Sequence, residues 1–202
     1  MRTRLLRFLT ACLASLLIAG CGGAPSIRES AVLVGSVEKT ARLHFVYRNV
    51  EMRRASSYSY GQGASVVDTG FDGFGRRLVG QAEAAFAARK VSVLSAAVLG
   101  DKEALPTQPL SAGEAPAPVL IIAPLSGTTQ ANRHSTRTSY VFSAHLMDPQ
   151  SRRLLWKATI DTSAWAGNDF VMKNVEKTVY DDNYALQLLR VVMGELGEAG
   201  LI

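Results

Sequence analysis

The sequence predicts an α/β (α+β) domain, with a mixed or antiparallel sheet of about five strands covered by at least two amphipathic helices. Two kinds of hydrophobic periodicity support this fold class. Apolar residues alternate with polar ones in several segments of strand length, and they recur every three or four residues in two segments of helix length. A clear hairpin signal in the second half of the chain adds antiparallel pairing.

The first predicted strand spans residues 41–52. There Leu43, Phe45 and Tyr47 alternate with more polar or smaller neighbours, so one face of the strand is apolar and the other is mixed. The next segment, residues 53–70, is rich in serine, glycine and tyrosine. This composition favours a loop or an irregular strand.

A helix is predicted over residues 72–90, with Asp72 as its N-cap. Its apolar residues form one stripe at helical spacing: Phe74, Leu78, Val79, Ala82, Ala85 and Phe86. The glycines of residues 70–75 could bring backbone amides towards an anion. This stretch lacks the lysine before serine or threonine that a phosphate-binding loop needs, so a packing or capping role is favoured.

Two buried strands are predicted next, over residues 91–99 and 119–125. The second opens with five apolar residues in a row, which suits a central strand covered on both faces. Between them, residues 100–118 carry four prolines within a thirteen-residue stretch. Proline removes backbone donors and restricts φ, so this segment is predicted to be a long loop.

The clearest hairpin joins residues 140–147 to residues 154–162, and each segment alternates apolar and polar side chains. Between them, the four residues from Asp148 to Ser151 place Pro149 at the second position of a type I turn. The sequence therefore predicts an antiparallel pair of strands here.

A C-terminal helix is predicted to begin near Asp181 and Asp182, whose carboxylates favour the positive end of a helix dipole. Its apolar stripe consists of Ala185, Leu188, Leu189, Val192 and Leu196. Gly197 and Gly200 are stop signals. Residues 168–180 form either a separate short helix or the start of this one.

The N-terminal residues 1–20 are predicted to be a lipoprotein signal peptide. Three arginines precede a short apolar run, and small residues lead into Cys21. The order Leu17-Ile18-Ala19-Gly20-Cys21 resembles the lipobox of bacterial lipoproteins, which implies cleavage before Cys21 and lipid attachment to its thiol. A retained transmembrane helix is the alternative, although the apolar run is short for a bilayer.

Cleavage at this point would leave 182 of the 202 residues, which fits a single periplasmic domain over residues 31–202 behind a lipidated tether over residues 21–30. The mature chain would hold 19 basic and 17 acidic residues. This near balance argues against nucleic-acid binding. It would also contain no cysteine besides Cys21, so no disulfide or thiolate metal site is expected.

Catalytic, metal and cofactor sites are not expected. His44, His134 and His145 stand in separate segments without the spacing of a metal motif, and no Gly-x-Ser-x-Gly nucleophile pattern occurs. Trp156 and Trp165 are expected to pack in the core. We therefore expect that the chain is not an enzyme and uses no cofactor.

Two polar segments are candidates for partner contact. Tyr58 and Tyr60 lie on the serine- and glycine-rich segment and resemble the tyrosines of binding surfaces, although alternating tyrosines also suit an exposed edge strand. Arg133 and Arg137 lie in a basic loop before the hairpin and could meet anionic headgroups or an acidic partner. Solvated loop charge is the favoured interpretation of these arginines, and partner contact is the alternative.

A family resemblance rests on four features of the second half: the apolar residues 119–125, the strand ending in Asp148, the following strand with Trp156, and the terminal helix. Together they resemble the α/β domain of curli-secretion-type and TolB-N-terminal-like envelope lipoproteins. The resemblance implies scaffolding, secretion or partner binding in the periplasm. It transfers no catalytic residue.

These observations predict a lipid-anchored periplasmic protein that binds or scaffolds a partner in envelope assembly or secretion. The alternative is a carrier or sensor lipoprotein with a pocket for a lipid, glycan or small molecule. Residues Gly22 and Gly23 follow the cysteine without an aspartate, and resemblance to enterobacterial sorting rules then favours the outer membrane over the inner membrane. The expected partners are the membrane itself, through Cys21, and an envelope protein.

Overall fold

The computed structural model describes most of the chain after the predicted tether. The described residues are 26–35, 38–50, 52–58, 61–68, 72–105, 116–131, 135–163, 165, 169–171 and 182–202. They form one mixed sheet and two helices, the second at the C terminus, which confirms the predicted fold class. Cys21 and the signal peptide lie outside the described residues, so the lipobox stays a prediction.

Nine strands and two helices make up the described part of the chain. The strands are β1 (Ser26–Val32), β2 (Arg42–Asn49), β3 (Met52–Tyr58), β4 (Gly61–Asp68), β5 (Ser92–Gly100), β6 (Val119–Ala131), β7 (Ser135–Met147), β8 (Leu154–Asp161) and β9 (Asp169–Val171). The helices are α1 (Asp72–Ala87) and α2 (Asp182–Glu198).

The main path of the sheet runs in the order β1-β8-β7-β6-β2-β5. The pairs β1–β8, β8–β7 and β7–β6 are antiparallel, whereas β6–β2 and β2–β5 are parallel. β6 and β7 are 13 residues each and run past the ends of their neighbours. Beyond those ends, β3 pairs with β6, β4 pairs with β3, and β9 pairs with β7.

The sheet therefore has two halves along the strand direction. In the helix-covered half, β6 and β7 lie between β2 and β8, and α1 packs on β2, β5 and α2. We call the other half the projecting half: it consists of β3, β4, β9, residues 127–131 of β6 and residues 135–140 of β7. The long hairpin of β6 and β7 joins the two halves.

The core lies between the helices and one face of the helix-covered half. Its strand residues alternate along each strand and are fully or almost fully buried: Leu43, Phe45, Tyr47, Leu120, Ile122, Phe142, Ala144, Leu146, Trp156, Ala158 and Ile160. Its helix residues include the predicted stripes: Phe74, Leu78, Ala82, Phe86, Ala185, Leu188, Leu189, Val192 and Leu196. β2 is buried on both faces, since His44 and Val46 on its other side are also buried.

Both helices end in the same hydrogen-bonded motif. At the end of α2, the backbone amide of Leu201 donates to the carbonyl of Leu196 (2.9 Å). The backbone amide of Gly200 donates to the carbonyl of Gly197 (3.0 Å). Gly200 has φ +70°, as a Schellman cap requires. α1 ends in the same way with Lys90 at the left-handed position, where φ is +61°.

The predicted helices and most predicted strands are confirmed, but the edges of the sheet differ from expectation. Residues 26–30, which were expected in the tether, lie in β1 and pair with β8. Residues 53–70, expected as a loop or irregular strand, mostly form the hairpin of β3 and β4. Of residues 168–180, the described residues 169–171 form a strand, not a helix. These strands contain few large apolar residues, so burial of side chains does not explain their position. Backbone hydrogen bonds to neighbouring strands place them in the sheet.

Candidate functional site

The projecting half is the candidate contact surface, because β6 and β7 extend there beyond the helix-covered core. In register, β3 follows β6 from Arg54 beside Gly127 to Tyr58 beside Ala131. On the other side, β9 covers residues 135–137 of β7. β3 lies between β4 and β6, while β4 and β9 are the outermost strands of this half among the described pairs.

The structure places two of the four predicted contact residues, Tyr58 and Arg137, at one end of the sheet. Tyr58 ends β3 and pairs with Gly61 of β4, and Arg137 of β7 pairs with Gln130 one residue before the end of β6. Arg137 thus lies in a strand, not in the basic loop that the sequence predicted. The predicted contact residues Tyr60 and Arg133 lie outside the described residues.

Charged residues occur in the strands of this half as well. β3 contributes Arg53 and Arg54, whereas β4 ends in Asp68, which lies in register with Met52. On the other side, Arg137 lies in register with Asp169 of β9. These positions give the described strands of the projecting half three arginines and two aspartates.

The direction in which the chain enters the sheet is fixed by β1. Its first residue, Ser26, pairs with Asp161, and its last residue, Val32, pairs with Trp156. Because Asp161 pairs with Val141 of β7, Ser26 lies at the boundary of the projecting half. β1 therefore runs from the boundary of the projecting half towards the opposite end of the sheet.

Three side-chain contacts hold β1 to β8. The Arg28 guanidinium donates to Asp161, and the indole of the fully buried Trp156 donates to the Ser30 hydroxyl (3.2 Å). An ion pair between Lys157 and Glu29 (2.6 Å) adds a third contact. These contacts come from three consecutive residues in the middle of β1 and reach β8 residues from Trp156 to Asp161.

A cavity of about 570 Å³ lies on the face of the sheet that is turned away from the helices. Met147 and Arg48 alternate out of phase with the core residues Leu146 and Tyr47, which places them on that face. The described residues that line the cavity are Arg48, Asp101, Glu103, Ala104, Leu105, Met147, Pro149 and Arg152. Its lining combines apolar side chains with two arginines and two carboxylates.

Arg48 fixes the segment that borders this cavity. Its Nη1 donates to the backbone carbonyls of Gly100 (2.8 Å), Asp101 (2.7 Å) and Glu103 (3.1 Å). A guanidinium that satisfies three carbonyls holds the chain after β5 against the end of β2. Arg48 could not be recognised from the sequence, because an arginine at the end of a strand carries no local signal of such a role.

The histidines do not form a joint site. His44 is buried, its Nδ1 lies 2.7 Å from the hydroxyl oxygen of Ser95 in a hydrogen bond, and burial lowers its pKa. His145 is half-buried, and burial together with the nearby positive charge of Lys157 lowers its pKa. His134 lies outside the described residues. Within the described ranges, no group of three or more His, Cys, Asp or Glu is arranged to hold a metal ion.

The tryptophans and one of the predicted glycines pack in the core, as expected. Trp156 is fully buried, and the ring centroid of Trp165 lies 4.7 Å from that of Tyr184 at the start of α2. A Cβ atom at Gly75 would lie 2.6 Å from Cε1 of the Tyr47 ring. Gly75 thus allows α1 to approach β2 closely, which gives the glycine-bearing stretch a packing role at this position.

Comparisons with known proteins show only distant similarity. No protein-family model and no curated protein matches the chain. The chain is similar to the PelC dodecamer from Paraburkholderia phytofirmans, with TM-score 0.39 and 12% identity over 85% of this chain and 96% of that chain. Similarity to a DUF330-family protein from Xanthomonas campestris has TM-score 0.37 and 14% identity over 88% and 92% of the two chains.

A third similar structure is a candidate neuraminyllactose-binding hemagglutinin homologue from Helicobacter pylori, with TM-score 0.34 and 12% identity over 80% of this chain and 90% of that chain. Because the scores and identities are this low, the similarity assigns the chain to no family. The resemblance to curli-secretion-type and TolB-N-terminal-like lipoproteins stays a prediction. Neither helix in the described part of the chain is long and apolar enough to cross a bilayer.

Sequence reasoning missed Arg53 and Arg54 as members of the candidate surface. The only local signal was a pair of arginines at the start of a serine- and glycine-rich segment. Their connection to Arg137 depends on the parallel pairing of β3 with β6 and the antiparallel pairing of β6 with β7. Pairing between segments that are distant in sequence leaves no periodicity in either of them.

Proposed function

We propose that this chain is a lipid-anchored envelope protein, held by an acylated Cys21, that acts through its projecting half as a binding or scaffolding component in envelope assembly or secretion. The observation that carries this proposal is the extension of β6 and β7 beyond the helix-covered core, with Tyr58 and Arg137 at its end. The proposal gives the chain a binding role and no catalytic step.

The composition of the projecting half supports a contact role. The β3 and β4 sequences, MRRASSY and GQGASVVD, contain mainly small and polar residues and few large apolar ones. Strands of this composition bury little apolar surface, so they contribute little to the core. Long paired strands that add little core packing are suited to present a surface and open strand edges to a partner.

The lipid anchor explains how a weak contact surface could bind its partner. Two or more acyl chains hold a protein stably on a membrane, because each buried methylene contributes about 0.8 kcal/mol. A domain held at a membrane meets its partners there at a high effective concentration, so a weak interface suffices. We propose the periplasmic face of the outer membrane as the location, on the resemblance of the sequence after Cys21 to outer-membrane sorting signals.

Photo-crosslinking in whole cells tests the contact surface. A photoreactive amino acid at Tyr58 is expected to give specific products, whereas the same group at Gln150, in the turn between β7 and β8, is not. Labelled palmitate on the wild type and its loss in Cys21→Ser test the anchor. Equal crosslinking at both positions, or an unlabelled wild type, would contradict the proposal.

A carrier or sensor function is the second candidate, and the cavity of about 570 Å³ favours it. An apolar ligand with one charged end would match the Met147 and Leu105 side chains together with Arg48 or Arg152. Met147→Trp would fill part of the cavity. If the chain is a carrier, this variant loses binding of a fluorescent fatty acid while its thermal unfolding stays near that of the wild type.

A further inference from the structure

We infer that the cavity on the face of the sheet turned away from the helices binds a zwitterion. Its ligand would carry an ammonium group, a phosphate or carboxylate group, and an apolar chain beside them. This inference specifies the ligand class of the cavity and does not rest on the proposed acylation of Cys21. Its supports are the unpaired charges of the lining, the fixed position of Arg48 and the backbone conformation of Arg152.

The cavity is lined by charged side chains of both signs that are not paired with one another. Asp101 and Glu103 contribute carboxylates, and Arg48 and Arg152 contribute guanidinium groups. Within the described part of the chain, no ion pair joins any of these four side chains to an opposite charge. A ligand with both charges would give each group a partner, whereas a ligand with a single charge would also lie beside like charges.

The guanidinium of Arg48 is held in place at the cavity by the backbone. Its Nη1 donates to the carbonyls of Gly100, Asp101 and Glu103. Among the described residues, no partner accepts a hydrogen bond from its Nε or Nη2. A guanidinium has five N–H groups, so the remaining ones can donate to the oxygens of a phosphate or carboxylate. Because the side chain is already ordered, binding costs little of its conformational freedom.

Arg152 has a backbone conformation that is unfavourable for its residue type. Its φ is +55°, in the left-handed region that favours glycine. The turn before it is fixed by the carboxylate of Asp148, which accepts hydrogen bonds from the amide of Gln150 (2.9 Å) and the hydroxyl of Ser151 (2.8 Å). Such conformations cluster at ligand sites. A ligand that binds the side chain accounts for an arginine at a position that favours glycine.

The uncharged part of the lining can hold the apolar chain of the ligand. It consists of Ala104, Leu105, Met147 and Pro149. The cavity has a volume of about 570 Å³, which lies within the range of roughly 300–1,000 Å³ that is typical of small-molecule sites. A small amphiphile therefore matches both the size and the mixed lining of this cavity.

Calorimetric titration of the full chain in a non-ionic detergent tests the ligand class with two matched pairs of ligands. In the first pair, hexanoyl lysophosphatidylethanolamine is compared with hexanoyl lysophosphatidylglycerol, which has the phosphate without the ammonium group. In the second pair, α-aminooctanoate is compared with octanoate. At least one zwitterion is expected to bind about tenfold more tightly than its anionic counterpart. The pair that shows this difference tells whether the ligand is a lipid headgroup or a free amino acid.

Variants of the lining locate the bound ligand. Arg152→Gln is expected to weaken binding of the zwitterion by about tenfold, whereas Arg153→Gln, in the same turn but outside the lining, is expected to leave it unchanged. Asp101→Asn combined with Glu103→Gln is expected to weaken binding of the zwitterion but not that of its anionic counterpart. Arg152→Gly also relieves the unfavourable φ, so it is expected to melt at a higher temperature than the wild type and still to bind more weakly. Thermal unfolding of each variant shows that it is folded.

Two results would overturn the inference: no preference for the zwitterion in either pair, including no binding at all, or wild-type affinity in a folded Arg152→Gln variant. Failure of the proposed function has a separate signature. It would appear as an unlabelled Cys21, or as equal crosslinking at Tyr58 and Gln150, and the calorimetric result would be unaffected by either.

Discussion

Arg28 of β1 donates from both Nε (2.9 Å) and Nη2 (2.5 Å) to the same carboxylate oxygen, Oδ2 of Asp161, at the end of β8. The other oxygen, Oδ1, accepts a hydrogen bond from the backbone amide of Ser163 (2.8 Å). The Asp161 side chain is 11% exposed and that of Arg28 is 59% exposed. Both oxygens of this mostly buried carboxylate therefore accept hydrogen bonds. The contact between Arg28 and Asp161 holds β1, the strand that follows the proposed anchor, to β8.

The first prediction concerns this carboxylate at neutral pH. Asp161→Ala leaves the Ser163 amide and the Arg28 guanidinium without their acceptor, which is expected to lower the free energy of unfolding by about 1–3 kcal/mol. Arg28→Ala is expected to cost less, about 1 kcal/mol, because the arginine is largely exposed. Urea unfolding at neutral pH measures both. A larger loss for Arg28→Ala than for Asp161→Ala would contradict this account.

The second prediction concerns the same carboxylate in acid. Burial acts to raise the pKa of Asp161, but the hydrogen bonds from Ser163 and Arg28 outweigh it, so the pKa lies below its ordinary value. The unfolded state then binds the proton first, and this contribution to stability is lost as the pH falls below ~4. Asp161→Asn is expected to flatten the acid limb of a plot of unfolding free energy against pH. An unchanged limb would contradict the assignment.

The third prediction concerns His44. Burial lowers its pKa, so the unfolded chain binds a proton at a pH where the folded chain does not. Stability from this group is complete above the unfolded pKa of ~6.5 and decreases as the pH falls from there towards the folded pKa. His44→Gln is expected to lose less stability than the wild type between about pH 7.5 and pH 5. Thermal unfolding at both pH values measures the difference.

A matched variant separates His44 from the second described histidine. The pKa of His145 is also lowered, by burial and by Lys157, so His145→Gln is expected to act in the same direction. The double variant should then show the flattest dependence of the three. If the wild type and the double variant have the same pH dependence over this range, neither histidine is held neutral by its surroundings.

The fourth prediction compares two glycines of α1. Gly75→Ala would bring a methyl group against the Tyr47 ring, which is fully buried and has little room to move, so overpacking is expected to cost about 1–3 kcal/mol. Gly80 has nothing within 4 Å of the same hypothetical atom. Gly80→Ala is expected to stabilise the protein by about 0.5–1 kcal/mol, because alanine favours helix. Chemical denaturation of both variants checks the opposite signs.

The fifth prediction concerns the two helix ends. Lys90 occupies a left-handed position, with φ +61°, which is unfavourable for a residue with a Cβ atom. Lys90→Gly is expected to stabilise the protein by up to about 1 kcal/mol. Gly200→Ala, at the equivalent position after α2, is expected to destabilise it by about 1 kcal/mol. If both substitutions shift the melting temperature in the same direction, the shared cap geometry is not what controls stability there.

The elements that could be recognised from local patterns are those with a buried face. Phe74, Leu78 and Ala82 repeat at helical spacing because each contacts the same core, and Leu43, Phe45 and Tyr47 alternate for the same reason. Gly200 could be recognised as a stop signal because glycine adopts positive φ without strain. In each case, the physical cause acts within a few neighbouring residues of the chain.

The projecting half has no such local cause. Residues 26–30 of β1, 53–58 of β3 and 61–68 of β4 contain few large apolar residues, and they are strands because β8, β6 and β3, respectively, offer them backbone partners. The candidate surface follows from this pairing: Arg53, Arg54, Tyr58 and Arg137 belong to the same projecting half only because β3 pairs with β6 and β6 pairs with β7. Burial of one face of a helix or strand produces a periodic pattern of apolar residues within that segment, so it can be recognised from the sequence. Hydrogen bonds between distant strands depend on where the rest of the chain lies, so they leave no such pattern.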